Sequence, residues 1–281
     1  MNAMIDIAGG RARTRQIETG LGRLHVVERG AGPRTLVLWP SIFTDHHIYD
    51  GIVARLADRY RFILIDGPGH GGSEGPAAPH AIADSADALA TVLDTLGLKR
   101  AILGGTSWGA MVAAELALRR PERAEAVVLM NTPMAIDGRH PGLKARLIAL
   151  GARYLLKTKL FRDGVAESFF SPQVLRQNPT YAATFHAMLE RANPRPLSAA
   201  IRSVLLNGRP LIDRVGELKM PVLVIAGKAD AMYPMATQQA AAARMPKSRL
   251  EPVDGKHISV VERPDEVAHL IVDFLERASI S

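Results

Sequence analysis

Cysteine is absent from the 281-residue chain, which excludes disulfides, a thiolate nucleophile and cysteine-ligated zinc or iron-sulfur centres. Aromatic residues are scarce at 5%, leaving little for stacking nucleobases. The formal charge is +7, yet its Lys and Arg are scattered, with no basic run interleaved with aromatics. We therefore read a solvated basic surface and expect no nucleic-acid partner. No apolar run reaches the ~20 residues that a membrane helix needs. The stretch Met1–Gly10 lacks a basic segment followed by a long apolar one, and residues 1 to about 14 read as a loose leader. These absences predict a soluble, cytoplasmic protein with no membrane partner and leave the oligomeric state open. No H-E-x-x-H spacing occurs; on a strand or helix, the adjacent His46 and His47 would point apart, with no carboxylate cluster beside them. The G-x-x-x-x-G-K-[ST] phosphate loop is missing too. Neither a metal nor a cofactor is expected.

What is present is a hydrophobic fraction of 47%, enough for one large α/β domain with an insertion or, equally, for two domains. Gln16 to Glu28 alternates like a hairpin across Gly20 and Gly22. Thr35–Trp39, Arg61–Ile65, Arg100–Leu103, Ala126–Met130 and Val222–Ala226 are apolar runs of the kind buried on both faces of a parallel sheet, and Leu250–Val253 reads as a short strand. Helical spacing marks Tyr49–Arg59, Asp84–Leu96, Ser107–Arg120, Pro234–Arg244 and Pro264–Arg277 between them. Strands alternating with helices predict a mostly parallel sheet covered on both faces, with ligands bound at the carboxyl ends of its strands.

The rhythm breaks between about Asp137 and Arg214, where helical segments are separated by prolines and no strand is expected. We assign 137–214 to a helical cap, and 15–136 with 215–281 to the α/β core. Leu143, Leu147, Leu150 and Tyr154 make one apolar stripe of an amphipathic helix, expected to cover the protein's own core rather than a membrane. Cations from Arg139 to Arg214 outnumber acids in this insertion, which hints at an anionic substrate or at screened surface charge.

Gly105-Thr106-Ser107-Trp108-Gly109 fits G-x-S-x-G, a turn in which a serine stands strained between a strand and a helix while glycines remove blocking Cβ atoms. A serine hydroxyl is a weak nucleophile unless a base takes its proton and an acid holds that base. Asp230 follows one buried strand and His257 the next, in the order such a site requires. Alone, Asp230 would serve as well to cap a helix and His257 as a surface histidine; Asp254 is the fallback orienter. An oxyanion needs donors, and these are assigned to the backbone N–H groups of Trp108 and Ile42, with Ser41 as runner-up to Ile42. His70 reads as structural.

These residues resemble the α/β-hydrolase superfamily over nearly the whole chain. The elbow, the turn Asp66-Gly67-Pro68-Gly69-His70-Gly71-Gly72-Ser73, the Gly227–Asp230 loop and the His257 loop fall where that family has them. Ser41-Ile42-Phe43-Thr44-Asp45 and His257–Pro264 look most like the 3-oxoadipate enol-lactone hydrolases and related small esterases and lactonases. The resemblance implies an α/β-hydrolase fold with an eight-stranded, mostly parallel sheet. It also implies a serine hydrolase of carboxylic esters or lactones acting on small molecules through an acyl-enzyme. The alternatives are C–C bond hydrolysis or peracid formation by cofactor-free haloperoxidase chemistry, and a hydrolase-like ligand receptor. Pro40-Ser41 stands where the family often has His-Gly, with the large Trp39 before it, a departure expected to narrow the pocket.

Overall fold

The computed structural model describes residues 12–136, 138 and 140–278, apart from the side chain of Thr180. Most of the expected leader, Asp137 and Arg139 lie outside the described residues. The chain runs β1 (Arg13–Thr19), β2 (Gly22–Arg29), β3 (Arg34–Trp39), α1 (Asp50–Leu56), β4 (Tyr60–Ile65), α2 (Ile82–Thr95), β5 (Ala101–Thr106), α3 (Trp108–Arg119) and β6 (Ala124–Met130). Five helices follow: α4 (Leu143–Tyr154), α5 (Lys159–Phe169), α6 (Pro172–Gln177), α7 (Pro179–Arg191) and α8 (Pro194–Leu205). The alternation resumes with β7 (Val222–Gly227), α9 (Met235–Ala242), β8 (Ser248–Val253), α10 (Ser259–Glu262) and α11 (Pro264–Arg277).

One eight-stranded sheet has the order β1-β2-β4-β3-β5-β6-β7-β8. The β1–β2 and β2–β4 pairs are antiparallel and every later pair is parallel. Strands β5, β6 and β7 present hardly a polar side chain and are buried throughout or nearly so, as strands covered on both faces must be. From β3 the chain steps outward to β4, then crosses back to lay β5 on the other side of β3. Loops after β3 and β5 therefore diverge, and a crevice opens between them at the carboxyl edge.

Helix α3 can lie flat on the centre of this sheet because its inner face is small. Ala110, Ala113 and Ala114 are fully buried, and a Cβ on Gly109 would stand 1.8 Å from the Trp39 carbonyl oxygen.

The segment between β6 and β7 is helical, with no strand among its described residues. Its first helix corrects one expectation. The apolar stripe of α4 faces out: Leu143 is 73% exposed, Leu147 and Leu150 are each 57% and Tyr154 is 71%. The opposite face makes the contact, through Ala149, Gly151 and Ala152, which are buried, and Ala145 and Ile148, which pack against the core. Small residues win that position because the approach is close; a Cβ on Gly151 would sit 2.2 Å from the Phe161 ring. No helix among the described residues is long and apolar enough to cross a membrane.

Candidate active site

Ser107 sits between β5 and α3 with φ 54° and ψ −109°, a conformation that side chains other than glycine rarely adopt. Its N–H donates to Met130 O on the neighbouring strand at 2.8 Å, which anchors the turn. Both glycines of the motif are sterically required: a Cβ on Gly105 would come within 2.3 Å of the Gly109 backbone. The serine is buried, at the head of α3.

Asp230 and His257 follow β7 and β8 at the same carboxyl edge. His257 Nδ1 lies 2.9 Å from Asp230 Oδ2, and both side chains are buried. Asp230 Oδ2 also accepts from Asn131 Nδ2 at 3.0 Å, while Oδ1 accepts the N–H groups of Met232 and Tyr233 at 2.9 and 3.1 Å. Burial alone would raise the Asp230 pKa. The hydrogen bond and charge of His257 and the other donors outweigh it and hold the carboxyl below its ordinary range. Asp230 is not a helix cap, since α9 starts only at Met235 after Pro234. Asp254 points elsewhere, pairing with Lys228 at 2.8 Å in solvent.

His257 Nε2 is buried and has no hydrogen-bond partner. In a neutral imidazole, a carboxylate at Nδ1 favours the tautomer with its proton there, which leaves the lone pair on Nε2. Phe169 and Tyr233 wall the imidazole, with ring centroids 5.4 and 5.3 Å away.

The loop after β3 carries Ser41 and Ile42, both buried. Neither the Ile42 N–H nor the Trp108 N–H meets an acceptor among the described residues, whereas the Phe43 N–H donates to His70 Nε2 at 2.9 Å. His70 in turn places Nδ1 2.9 Å from Pro68 O, and burial lowers its pKa, so it stays neutral and holds the loop as an acceptor. Tyr49 adds a second brace, donating its hydroxyl to Trp39 O at 2.6 Å.

Three supports went unread in the sequence. Asn131, at φ 49°, joins Asp230 to Ser259, whose hydroxyl donates to Asn131 Oδ1 at 2.6 Å. Glu262 accepts the N–H of Lys256 at 2.9 Å and pins the residue before His257. His70 is structural, as its sequence context implies, but the tie to Phe43 that makes it so has no sequence signal. The available signal for Asn131 was position: a polar residue immediately after a buried parallel strand.

His46 and His47 do not point apart. They lie in a 3-10 turn rather than a strand or α-helix, and their rings stack with centroids 4.0 Å apart. Carboxylates do accompany them, Asp66 2.8 Å from His46 Nδ1 and Asp45 2.9 Å from His47 Nδ1. His25 also meets Asp66, at 2.9 Å. The Asp66 oxygens already accept the N–H groups of His46 and Gly72, so this cluster is first a brace for the Asp66 turn.

An apolar cavity of about 600 Å³ opens beside the site, lined by Ile42, Phe43 and Met232 and by residues of α4 and α5, Phe169 among them. That volume suits a small organic ligand. Among the described residues, Lys144 is the one charged side chain of its lining. Trp39 and Trp108 do not line it. Their rings pack against each other inside the protein, 5.4 Å apart and nearly perpendicular, so Trp39 does not narrow this cavity as expected.

A family model for the α/β hydrolase fold matches residues 34–264. The chain belongs to this family. Among curated relatives it is 26% identical over 243 residues to 3-oxoadipate enol-lactonase 2 of Acinetobacter baylyi, covering 86% of this chain and 88% of that one. It is 31% identical over 227 residues to a 2-hydroxy-6-oxononadienedioate/2-hydroxy-6-oxononatrienedioate hydrolase of Paraburkholderia phymatum, covering 76% of each. Among solved structures, the enol-lactonase from Burkholderia xenovorans LB400 superposes with a TM-score of 0.86 at 26% identity, over 93% of this chain and 100% of that one. The α/β-hydrolase assignment and the enol-lactonase likeness are thus both borne out.

Proposed function

We propose that this α/β-hydrolase is a serine hydrolase that cleaves a carboxylic ester or lactone through an acyl-enzyme. The observation that carries the proposal is the buried Asp230–His257 pair with an unpartnered Nε2, at the sheet edge where Ser107 is held strained. Ser107 Oγ attacks the carbonyl as His257 Nε2 takes its proton. Asp230 fixes the tautomer and stabilises the imidazolium. The free N–H groups of Ile42 and Trp108 receive the oxyanion, a role in which one donor is worth about 100-fold or more in rate. His257 then returns the proton to the leaving alcohol, or to the ring-opened hydroxyl of a lactone. Water, activated by the same nitrogen, releases the acid.

We assign the five helices between β6 and β7 to a cap, with the domain limits 137–214 expected from the sequence. The apolar lining of the cavity supports an acyl part that is largely hydrocarbon; Lys144 is the feature in it that favours an anionic group. Ser107→Ala tests the mechanism: the variant folds and binds but does not turn over p-nitrophenyl esters, and retained turnover refutes the nucleophile. Graded p-nitrophenyl esters run beside enol-, γ- and homoserine lactones divide esterase from lactonase. A second reading, C–C bond hydrolysis, is favoured by the 31% identical relative, whose named substrate contains no ester. Product analysis with a vinylogous diketone separates it.

A further inference from the structure

We propose that the cap docks on an anionic lipid surface through the outward face of α4 and the turn that follows it, so that an acyl chain passes from that surface into the cavity whose wall includes Phe169, the neighbour of His257. The second clause rests on the hydrolase reading; the docking does not.

Large hydrophobic side chains standing open to solvent are not scattered over the described residues. Among the described residues all of them fall between Leu143 and Leu160: the four of the α4 stripe, then Leu155 at 51% and Leu160 at 84%. Such concentration marks a contact surface rather than the ordinary apolar background. On α4 the stripe lies opposite the face that packs inward, so no repacking of the helix against its own core would hide both.

The borders of the stripe identify the partner. At 100° per residue, Lys144 flanks it on one side and Arg146 and Arg153 on the other; beyond the helix end Lys157 donates to the carbonyls of Glu190 and Ala192 and Lys159 pairs with Asp163 at 2.7 Å, so the cations that edge the band are the three on α4. From 138 to 162 the sequence contains no Asp or Glu. An apolar band edged by cations whose stems can spread along it is the pattern that enters a headgroup layer: the band reaches the acyl boundary while the charges stay among phosphates. A second copy of this chain is a poor match. A two-fold contact through the same patch would face one ring of cations with another.

The surface also leads somewhere. Leu143, Leu147, Leu155 and Leu160 are at once part of the exposed patch and part of the cavity lining, which continues to Ile42, Phe43 and Phe169, the last with its ring 5.4 Å from that of His257. A lipid chain can therefore move from the bilayer along apolar side chains as far as Phe169, which packs on His257.

The test uses the full-length Ser107→Ala protein, which leaves lipid intact, sedimented with vesicles of phosphatidylcholine alone or mixed with phosphatidylglycerol. Binding is expected on the anionic vesicles and is expected to weaken as salt rises. Leu150→Ser with Tyr154→Ser, neither in the cavity lining, lowers partition by about tenfold or more. Arg146→Gln with Arg153→Gln lowers it on anionic vesicles by about fivefold per charge and leaves neutral vesicles unaffected. Because these side chains are outside the core, melting temperatures stay within a degree or two of the parent, about the shift expected of a surface change. No partition, or equal partition by parent and variants, overturns the proposal. So does a dimer in sedimentation equilibrium that the Leu150→Ser, Tyr154→Ser change disperses. Turnover of dissolved p-nitrophenyl acetate by the unsubstituted enzyme separates the two readings: vesicle binding without turnover defeats the hydrolase and keeps the docking, and turnover without vesicle binding does the reverse.

Discussion

Asn131 is where the site is most exposed to a single change. Its amide nitrogen donates to Asp230 Oδ2 at 3.0 Å and to Lys256 O at 3.1 Å, and its amide oxygen accepts from Ser259. Asn131→Ala removes all of these and leaves a non-glycine residue at φ 49° without the side chain that tolerates it. The lost hydrogen bond to a charged group is worth about 1.5–3 kcal/mol and each neutral one about 1, so a stability loss of about 3–5 kcal/mol is expected. Asn131→Asp is the sharper test because shape is kept. Two ionised carboxylates about 3 Å apart repel by about 5 kcal/mol at an effective dielectric near 20, so the pair holds one proton well above the ordinary carboxyl range. A group whose folded pKa is raised is harmless below its unfolded value and costs more as pH climbs above it. The Asn131→Asp protein should therefore melt near the parent at pH 4 and fall behind by about 1.4 kcal/mol per pH unit until the pair's raised pKa is passed. Thermal unfolding from pH 4 to 8, read against the parent, checks this. A melting difference that does not depend on pH refutes the shared contact with Asp230.

Gly109→Ala drives a Cβ into the Trp39 carbonyl and forces α3 off β3; a cost above about 4 kcal/mol should leave the protein insoluble. Gly164→Ala is its control: nothing lies within 4 Å, and the helix should gain about 0.5–1 kcal/mol in unfolding experiments. His70→Leu leaves the Phe43 N–H and the Pro68 carbonyl without their partner, costing about 1–3 kcal/mol for each buried group. Since Phe43 adjoins Ile42, kcat should fall while KM is nearly kept; unchanged kcat would sever His70 from the oxyanion loop. Burial lowers the His80 pKa to about 4, so the folded protein resists a proton that the unfolded chain accepts near pH 6.5. That contribution to stability is full above about pH 6.5 and is lost as pH falls toward 4, and His80→Gln should flatten the melting curve across that window.

The parallel sheet was legible because its inner strands are short apolar runs between breakers, and burial on both faces leaves them no other composition; the edge strand β8, Ser248–Val253, is mostly half-buried and carries polar residues. The triad candidates were legible for a related reason, since loops after such strands must emerge at one edge. Ser107, Asp230 and His257 could be ordered before any distance was known. Periodicity failed on α4 because it reports that a stripe exists and not which stripe packs. Ala145, Ala149 and Ala152 form a second, smaller stripe on that helix, and closeness of approach favoured it over the leucines. Asn131, Glu262 and the loop-holding part of His70 were illegible for another reason: their partners lie far away in sequence, and a lone polar residue carries no pattern.

Backbone strain ties these parts together. Three non-glycine residues have positive φ among the described ones, Phe43, Ser107 and Asn131, and they follow β3, β5 and β6, which are neighbours in the sheet. Each is fastened through its own N–H, Phe43 to His70, Ser107 to Met130 and Asn131 to Ile225. Strain persists only where the surroundings over-determine it, at about 1–3 kcal/mol per residue, and here it outlines the candidate site. At Ser107 this can be measured without reference to catalysis. Ser107→Ala and Ser107→Gly both delete the hydroxyl, but only glycine relieves φ 54°, and that relief exceeds the extra chain entropy glycine brings to the unfolded state. Ser107→Gly should therefore be the more stable of two inactive proteins, by about 0.5–1 kcal/mol, or roughly 2 °C in melting temperature for a chain of this size. If Ser107→Ala melts higher instead, the elbow is not strained, and its geometry must be held by packing around α3 alone.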